Sequence, residues 1–285
     1  MASNRTRLML KSAALTLAAA LLLGALGAAL VLRSGWYHIG ATNQHWQLVH
    51  TVLEQGMRDS VQYHAADIAA PRTPQSAARG AAVYRDNCVQ CHGGPGVAQE
   101  DFAKAMQPVP GPLIDATQRW QPRELYWITR HGIKMSGMPA WQFHLPDSDI
   151  WSVVAFMQTL PELSAPAFAA LIKAQPPAQA AAQPDPGPVV ASQGNAERGR
   201  LALTQYACNA CHKIPGVTGS DVHVGRSLGG LAARKFIAGS LPNTQDNLVR
   251  WIRNPQQVDP HTAMPMQGVT EQDALDISAY LLSLR

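Results

Sequence analysis

Charge is scarce in this chain. Asp, Glu, Lys and Arg make up 15% of its 285 residues, against about 25% in an average soluble domain. It has no block of basic residues and no basic stripe interleaved with aromatics, so a nucleic-acid surface has no support. Only four cysteines occur, and all of them fall in two short motifs, which leaves none for structural disulfides. Alternating apolar and polar runs are almost missing, so an all-α fold is expected. The net charge of +4 belongs to the N terminus: with Arg5, Arg7, Lys11 and Arg33 set aside, 19 basic residues face 19 acidic ones.

What is present is one five-residue run, twice: Cys88-Val89-Gln90-Cys91-His92 and Cys208-Asn209-Ala210-Cys211-His212. Cys-x-x-Cys-His is the attachment signature of c-type haem. Two thiols three residues apart can add to the two vinyl groups on one porphyrin edge, and the adjoining histidine then supplies the proximal nitrogen to iron. Competing readings are weaker. The halves of a zinc ribbon lie roughly 15–20 residues apart, whereas more than a hundred residues separate Cys91 from Cys208. A thioredoxin-like motif does not account for a histidine after the second cysteine in both copies. The expectation is two covalently bound haem c groups, held by Cys88, Cys91, Cys208 and Cys211, with His92 and His212 on the irons.

Residues 13–32 form an almost unbroken Ala/Leu/Gly/Val run, long enough to cross a bilayer as a helix. Arg5, Arg7 and Lys11 precede it, which predicts residues 1–12 in the cytoplasm and the remainder outside. Covalent haem agrees, because haem is joined to exported apocytochrome in bacteria. The expected location is therefore the bacterial inner membrane, single-pass, with the haem domains in the periplasm. A cleaved signal peptide is the alternative, but the apolar run exceeds the usual 7–15 residues and Ala28-Ala29 is a mediocre cleavage site.

Residues 33–73 read as a juxtamembrane segment with a helix from about Asn43 to Ala66, capped by Thr42 or Asn43. Trp46, Val49, Val52, Leu53, Met57 and Val61 give it an apolar face to bury against the first haem domain, a partner or the membrane surface. His38, His45, His50 and His64 fall here without the i, i+4 pairing of a metal site. Residues 74–161 then form the first haem unit: a helix at Ser76–Asp86 with Gly80 and Tyr84 suited to close contact, the motif, Gly/Pro-rich loops, a helix at Glu124–His131, a Met138-Pro139 pair and a closing helix at Asp147–Leu160. Residues 162–193, rich in Ala, Pro and Gln, read as a linker. Residues 194–285 repeat the plan, with helices at Ala196–Tyr206, Asn247–Arg253 and Glu271–Leu284, the pair Met264-Pro265, and Trp251 in the place of Trp127.

This order resembles class I cytochromes c, twice over, across residues 76–161 and 194–285. The resemblance implies two tandem class I cytochrome c domains after an N-terminal transmembrane helix. It also implies methionine as sixth ligand, Met138 for the first haem and Met264 for the second, with Met135 and Met266 as nearby competitors and His131, His144 and His261 as bis-histidine alternatives. A thioether opposite histidine favours Fe(II) and raises the potential. In that family the proximal histidine donates to a carbonyl of a Gly-Pro-x-Leu segment. Gly111-Pro112-Leu113 is the first candidate, and Gly225-Arg226-Ser227-Leu228 the second, with Arg226 where proline is expected and free to reach a haem propionate. Trp120, Trp127 and Trp251 are candidates for haem edges or for core.

The second unit is also similar to the haem domain fused to subunit II of some bacterial cytochrome c oxidases, through Ala238–Thr244, Asn247-Leu248, Trp251-Ile252, Asn254-Pro255-Gln256 and Ala263-Met264-Pro265. No Cys/His/Met cluster for a binuclear copper centre accompanies it. The resemblance therefore implies a membrane-anchored dihaem carrier that passes single electrons in a respiratory chain to a terminal oxidase. The competing functions are the electron-accepting cytochrome subunit of a periplasmic dehydrogenase and, against two good Met-Pro pairs, a dihaem peroxidase. The expected partners are the membrane and a redox protein, oxidase or dehydrogenase, and no catalytic residue is expected.

Overall fold

The computed structural model describes residues 4–174, 194–239 and 241–285. It begins with a helix at Asn4–Ser34 whose 31 residues are all solvent-facing apart from one half-buried position, with a mean hydropathy of 2.4 over its most apolar stretch. At 1.5 Å per residue it is about 46 Å long, longer than the roughly 30 Å hydrocarbon core. By length and composition it can cross a membrane, and it extends beyond residues 13–32 at both ends.

The next helix, Gln47–Ala65, starts later than the sequence suggests. Asn43 does not cap it: its backbone N–H closes a turn on the Gly40 carbonyl, and its side-chain amide meets the His38 ring. The C-terminal half docks on the first haem domain. Val61 and Ala65 are buried, Arg123 donates to the Ala66 carbonyl at 3.2 Å, and His64 stacks on Trp127 with centroids 5.7 Å apart. Trp46, Leu48, Val52 and Leu53 of the N-terminal half remain exposed.

Each haem domain is built on a crossed helix pair. In the first, the leading helix Ala77–Asn87 crosses the closing helix Asp147–Met157; in the second, Ala196–Gln205 crosses Glu271–Ser283. Side-chain caps start three of the four: Ser76 accepts from the Arg79 N–H, Asn195 from that of Arg198 and Thr270 from that of Asp273, each cap contributing about 1 kcal/mol. A glycine sets the crossing. A Cβ placed on Gly80 would lie 1.9 Å from the Ser152 carbonyl oxygen, and one on Gly199 would lie 2.0 Å from that of Asp276. One residue earlier, an arginine ties the same pair of helices together. Arg79 holds buried Asp149 through Nε and Nη2 at 2.9 and 2.6 Å, and Arg198 holds buried Asp273 at 2.7 Å and Asp276 at 3.0 Å. A third helix in each domain, Pro122–His131 and Gln245–Arg253, packs on the closing helix.

The proposed linker is corrected over part of its length. Ala165–Ala174 is a helix, and Phe168 is fully buried against the first domain, edge-on to Tyr84 at 6.3 Å. Alanine is the best helix former and a proline is tolerated in the first turn, so Ala165-Pro166-Ala167 starts a helix where average composition suggests an extended chain. The rest of that stretch, residues 175–193, lies outside the described residues. Strand is limited, among the described residues, to the hairpin of Phe236–Ile237 with Leu241–Pro242, paired Phe236 to Pro242 and Ile237 to Leu241.

Candidate functional site

Both Cys-x-x-Cys-His runs wind into one tight turn. The N–H of Cys91 and that of His92 donate to the Cys88 carbonyl at 3.1 and 2.9 Å, and those of Cys211 and His212 donate to the Cys208 carbonyl at 3.2 and 2.9 Å. Residues three apart share a face on such a turn, which brings each pair of sulfurs to one side. None of the four cysteines is in a disulfide. Burial in apolar surroundings pushes the Cys88 thiol up to about 12 and the Cys208 thiol up to about 11. The turns are reached differently. Leading helix and motif are continuous in the first domain, while in the second an extra residue, Ala207, takes a left-handed φ of 54° between them.

Each histidine is oriented by a backbone carbonyl. His92 Nδ1 donates to the Gly111 carbonyl at 2.7 Å and His212 Nδ1 to the Arg226 carbonyl at 2.8 Å. A ring fixed through Nδ1 keeps Nε2 for a metal. Burial holds His92 below the usual imidazole range, offset in part by the Gly111 bond, which favours the neutral, ligating form. The second domain shows why arginine is tolerated where proline was expected: the position supplies its carbonyl. Gly225 beside it is required by contact, since a Cβ there would lie 2.4 Å from His212 Cε1.

The second motif lines a cavity of about 780 Å³ whose walls include Cys208, Cys211, His212, Trp251, Ile277 and Met264. Met264 is half-buried in that wall, whereas Met266 is 63% exposed. In the first domain Met138 is half-buried and Met135 is 92% exposed. Both inner methionines are held alike: the Met138 N–H donates to Ser136 Oγ and the Met264 N–H to Thr262 Oγ1, each at 3.2 Å. The Gln256 amide also donates to the Met264 carbonyl.

The histidine alternatives are engaged elsewhere. His131 lies against Trp127, His144 lies edge-on to Tyr206, and His261 is exposed beside Asp259. Trp251 lines the cavity, while Trp127 stacks on His64 and meets His131 at a tilt, and Trp120 lies 4.8 Å under the Arg58 guanidinium. Sequence reasoning missed the hydroxyl two residues before each methionine, although Ser-x-Met-Pro and Thr-x-Met-Pro align once the repeats are superposed. It also missed Met106, whose sulfur would lie 2.6 Å from a Cβ on Gly137, next to Met138.

This donor set fits a haem. Two thiols share one rim of an apolar, haem-sized space, a carbonyl-oriented imidazole stands beside them, and a thioether closes the second site's wall. Among the described residues no three His, Cys, Asp or Glu side chains converge as a metal-ion cage would require.

Comparisons with known proteins agree with these halves. Residues 75–157 match the family described as cytochrome C oxidase, cbb3-type, subunit III, and residues 196–285 match the family described as cytochrome c. A 91-residue stretch, 32% of this chain, is 35% identical to cytochrome c oxidase subunit 2 of Alkalihalophilus pseudofirmus, covering 26% of that protein. The chain thus spans about a quarter of the length of that relative. Cytochrome c domains bind haem c covalently and work in electron transfer, and this mostly helical chain carries two cytochrome c-type domains in tandem behind an apolar N-terminal helix.

Proposed function

We propose that this chain is a membrane-anchored dihaem cytochrome that carries single electrons in a bacterial respiratory chain to a terminal oxidase. The observation that carries the reading is the second-domain cavity, which has both cysteines, His212 and Met264 in one wall system, with the same motif and carbonyl-held histidine repeated in the first domain. The haems supply a one-electron Fe(III)/Fe(II) couple. Cys88, Cys91, Cys208 and Cys211 hold them by thioether bonds. His92 and Met138 would ligate the first iron, His212 and Met264 the second. The Gly111 and Arg226 carbonyls hold each imidazole through Nδ1, which would leave Nε2 for the iron, and Ser136 and Thr262 tie down the methionine loops. A methionine donor paired with histidine would raise the potential and would fill the coordination position that a peroxidase leaves open.

The Asn4–Ser34 helix serves as a single-pass anchor in the inner membrane. Arg5, Arg7 and Lys11 keep its start cytoplasmic, which puts the haem domains in the periplasm, the first over residues 74–174 and the second over 194–285. The oxidase partner is supported by two oxidase names among the comparisons, the family matched by the first domain and the relative matched over 91 residues. Purification in mild detergent tests it, with optical spectra and metal analysis of whatever co-elutes. Oxidase haem and copper in stoichiometric amounts are expected. A flavin, quinone-cofactor or molybdenum subunit without copper would overturn the oxidase reading in favour of the dehydrogenase one.

A further inference from the structure

One aromatic ring of the first haem domain is buried in the second. Phe143 lies in the short turn Trp141–Phe143, five residues after Met138. It is 5% exposed and clusters with Ala202, Leu203 and Tyr206, all on the second domain's leading helix or just after it. Tyr206 meets it edge-on, with centroids 6.2 Å apart at 72°, and the Arg198 guanidinium lies 5.1 Å from its centroid. His144, the next residue, is also edge-on to Tyr206, at 6.3 Å.

The slot is built by the second domain itself. Arg198 is held by Asp273 at 2.7 Å and by Asp276 at 3.0 Å, and the Tyr206 hydroxyl donates to the other oxygen of Asp273 at 2.7 Å. One carboxylate therefore positions both the cation and the ring edge that receive Phe143. A guanidinium over an aromatic face and an edge-on ring are both attractive in this geometry. The arginine–carboxylate pair recurs in the first domain as Arg79 and Asp149, so it belongs to the helix crossing, and the second copy has acquired an additional use. The placement matters because Tyr206 stands two residues before Cys208. The ring thus links the loop that follows Met138 to the approach of the second attachment motif.

We propose that Phe143, seated against Arg198 and Tyr206, is the clasp that fixes the two haem sites in one arrangement, so that electrons cross between the domains within a single chain. The inference rests on the reading that both sites carry haem. The step is a simple exchange: one electron leaves one ferrous site and reduces the other ferric site, with no bond made or broken, and a redox partner protein refills or drains the pair. Phe143 is a positioning residue: it meets Arg198 and Tyr206 and is not one of the proposed iron ligands.

The test uses the full chain in detergent, comparing wild type with Phe143→Ala and Phe143→Leu. Haem content and the methionine–iron absorption band are recorded first; fewer than two haems in wild type would refute the dihaem reading by itself. Hydrogen exchange in peptides covering residues 141–145 and 196–206 then reads the clasp without reference to haem. Truncating an aromatic anchor of this kind shifts docking by about thirtyfold, so exchange in both peptides is expected to rise by that order in Phe143→Ala and by less in Phe143→Leu. Pulsed electron paramagnetic resonance should give one narrow iron–iron distance in wild type and a broad spread in Phe143→Ala, with slower electron redistribution after photoreduction and an unchanged methionine–iron band. Unchanged exchange in both peptides would overturn the clasp. Raised exchange with an unchanged redistribution rate would overturn its part in electron transfer.

Discussion

The helix crossing makes opposite predictions for one substitution at two glycines. Gly80 lies where the first domain's leading and closing helices touch: an added Cβ would lie 1.9 Å from the Ser152 carbonyl oxygen and 2.8 Å from Phe156 Cβ. The contacting atom is backbone, so relief requires the helices to separate by more than an ångström. Overpacking of this kind costs about 1–3 kcal/mol and sometimes more, against a gain of about 1 kcal/mol from alanine's better helix propensity. With so short a contact the loss dominates, and Gly80→Ala should destabilise the first domain by about 2 kcal/mol. Gly56 sits in the middle of Gln47–Ala65 with nothing within 4 Å of its added Cβ. There only propensity acts, and Gly56→Ala should stabilise that helix by about 1 kcal/mol. For a domain of this size each kcal/mol moves Tm by about 4–8 °C. Thermal melts followed at the haem absorption bands and by circular dichroism should show Gly80→Ala lowering the first transition by roughly 8–16 °C, with the second domain's transition in place. A neutral or stabilising Gly80→Ala would refute the close crossing.

Other residues yield shorter tests. Arg79→Ala leaves the buried Asp149 without its guanidinium and should cost about 2–3 kcal/mol in urea unfolding, less than the roughly 3–5 of a fully buried pair because Arg79 is 31% exposed; a double change with Asp149→Asn should recover part of the loss. Met264→Ala should open the second iron to carbon monoxide, whereas Met266→Ala should leave the ligand-binding spectrum as in wild type. In the first domain Met138→Ala and Met135→Ala should divide the same way. Gly225→Ala presses a methyl group onto His212 Cε1 at 2.4 Å, so the ring must turn and the second haem's potential should shift while the first stays; equal potentials in variant and wild type would contradict the contact.

The parts of the site with strict chemical spacing were legible in the sequence. Cysteines three apart followed by histidine have few other uses, and the repeated order of helix, motif, Met-Pro and helix announced an all-α tandem. Gly80 could be read as a contact residue because a glycine inside a helix has few reasons to be there. The partners of those residues were harder to read, because they are set by tertiary folding. The resemblance pointed to Gly225-Arg226-Ser227-Leu228 as the segment that receives the His212 ring but not to the Arg226 carbonyl within it, and no local pattern pairs Arg79 with Asp149 seventy residues away. The helix at Ala165–Ala174 was hidden because the prolines of 162–193 crowd into its later part and the stretch was read as one Ala/Pro/Gln-rich segment, while Phe168 finds its place only against Tyr84 and Gly94. Phe143 carries no signal in its own segment, because its burial depends on a second domain whose docking leaves no local trace.

The central claim is that each Cys-x-x-Cys-His turn holds its own covalent haem. Intact mass of the denatured protein, produced with c-type haem assembly present, tests it most directly, alongside variants with both cysteines of one motif changed to alanine. Wild type should carry the mass of two haems, and each double-alanine variant one. A wild-type mass equal to the bare polypeptide or to one haem, or a double-alanine variant that still retains two, would contradict the account.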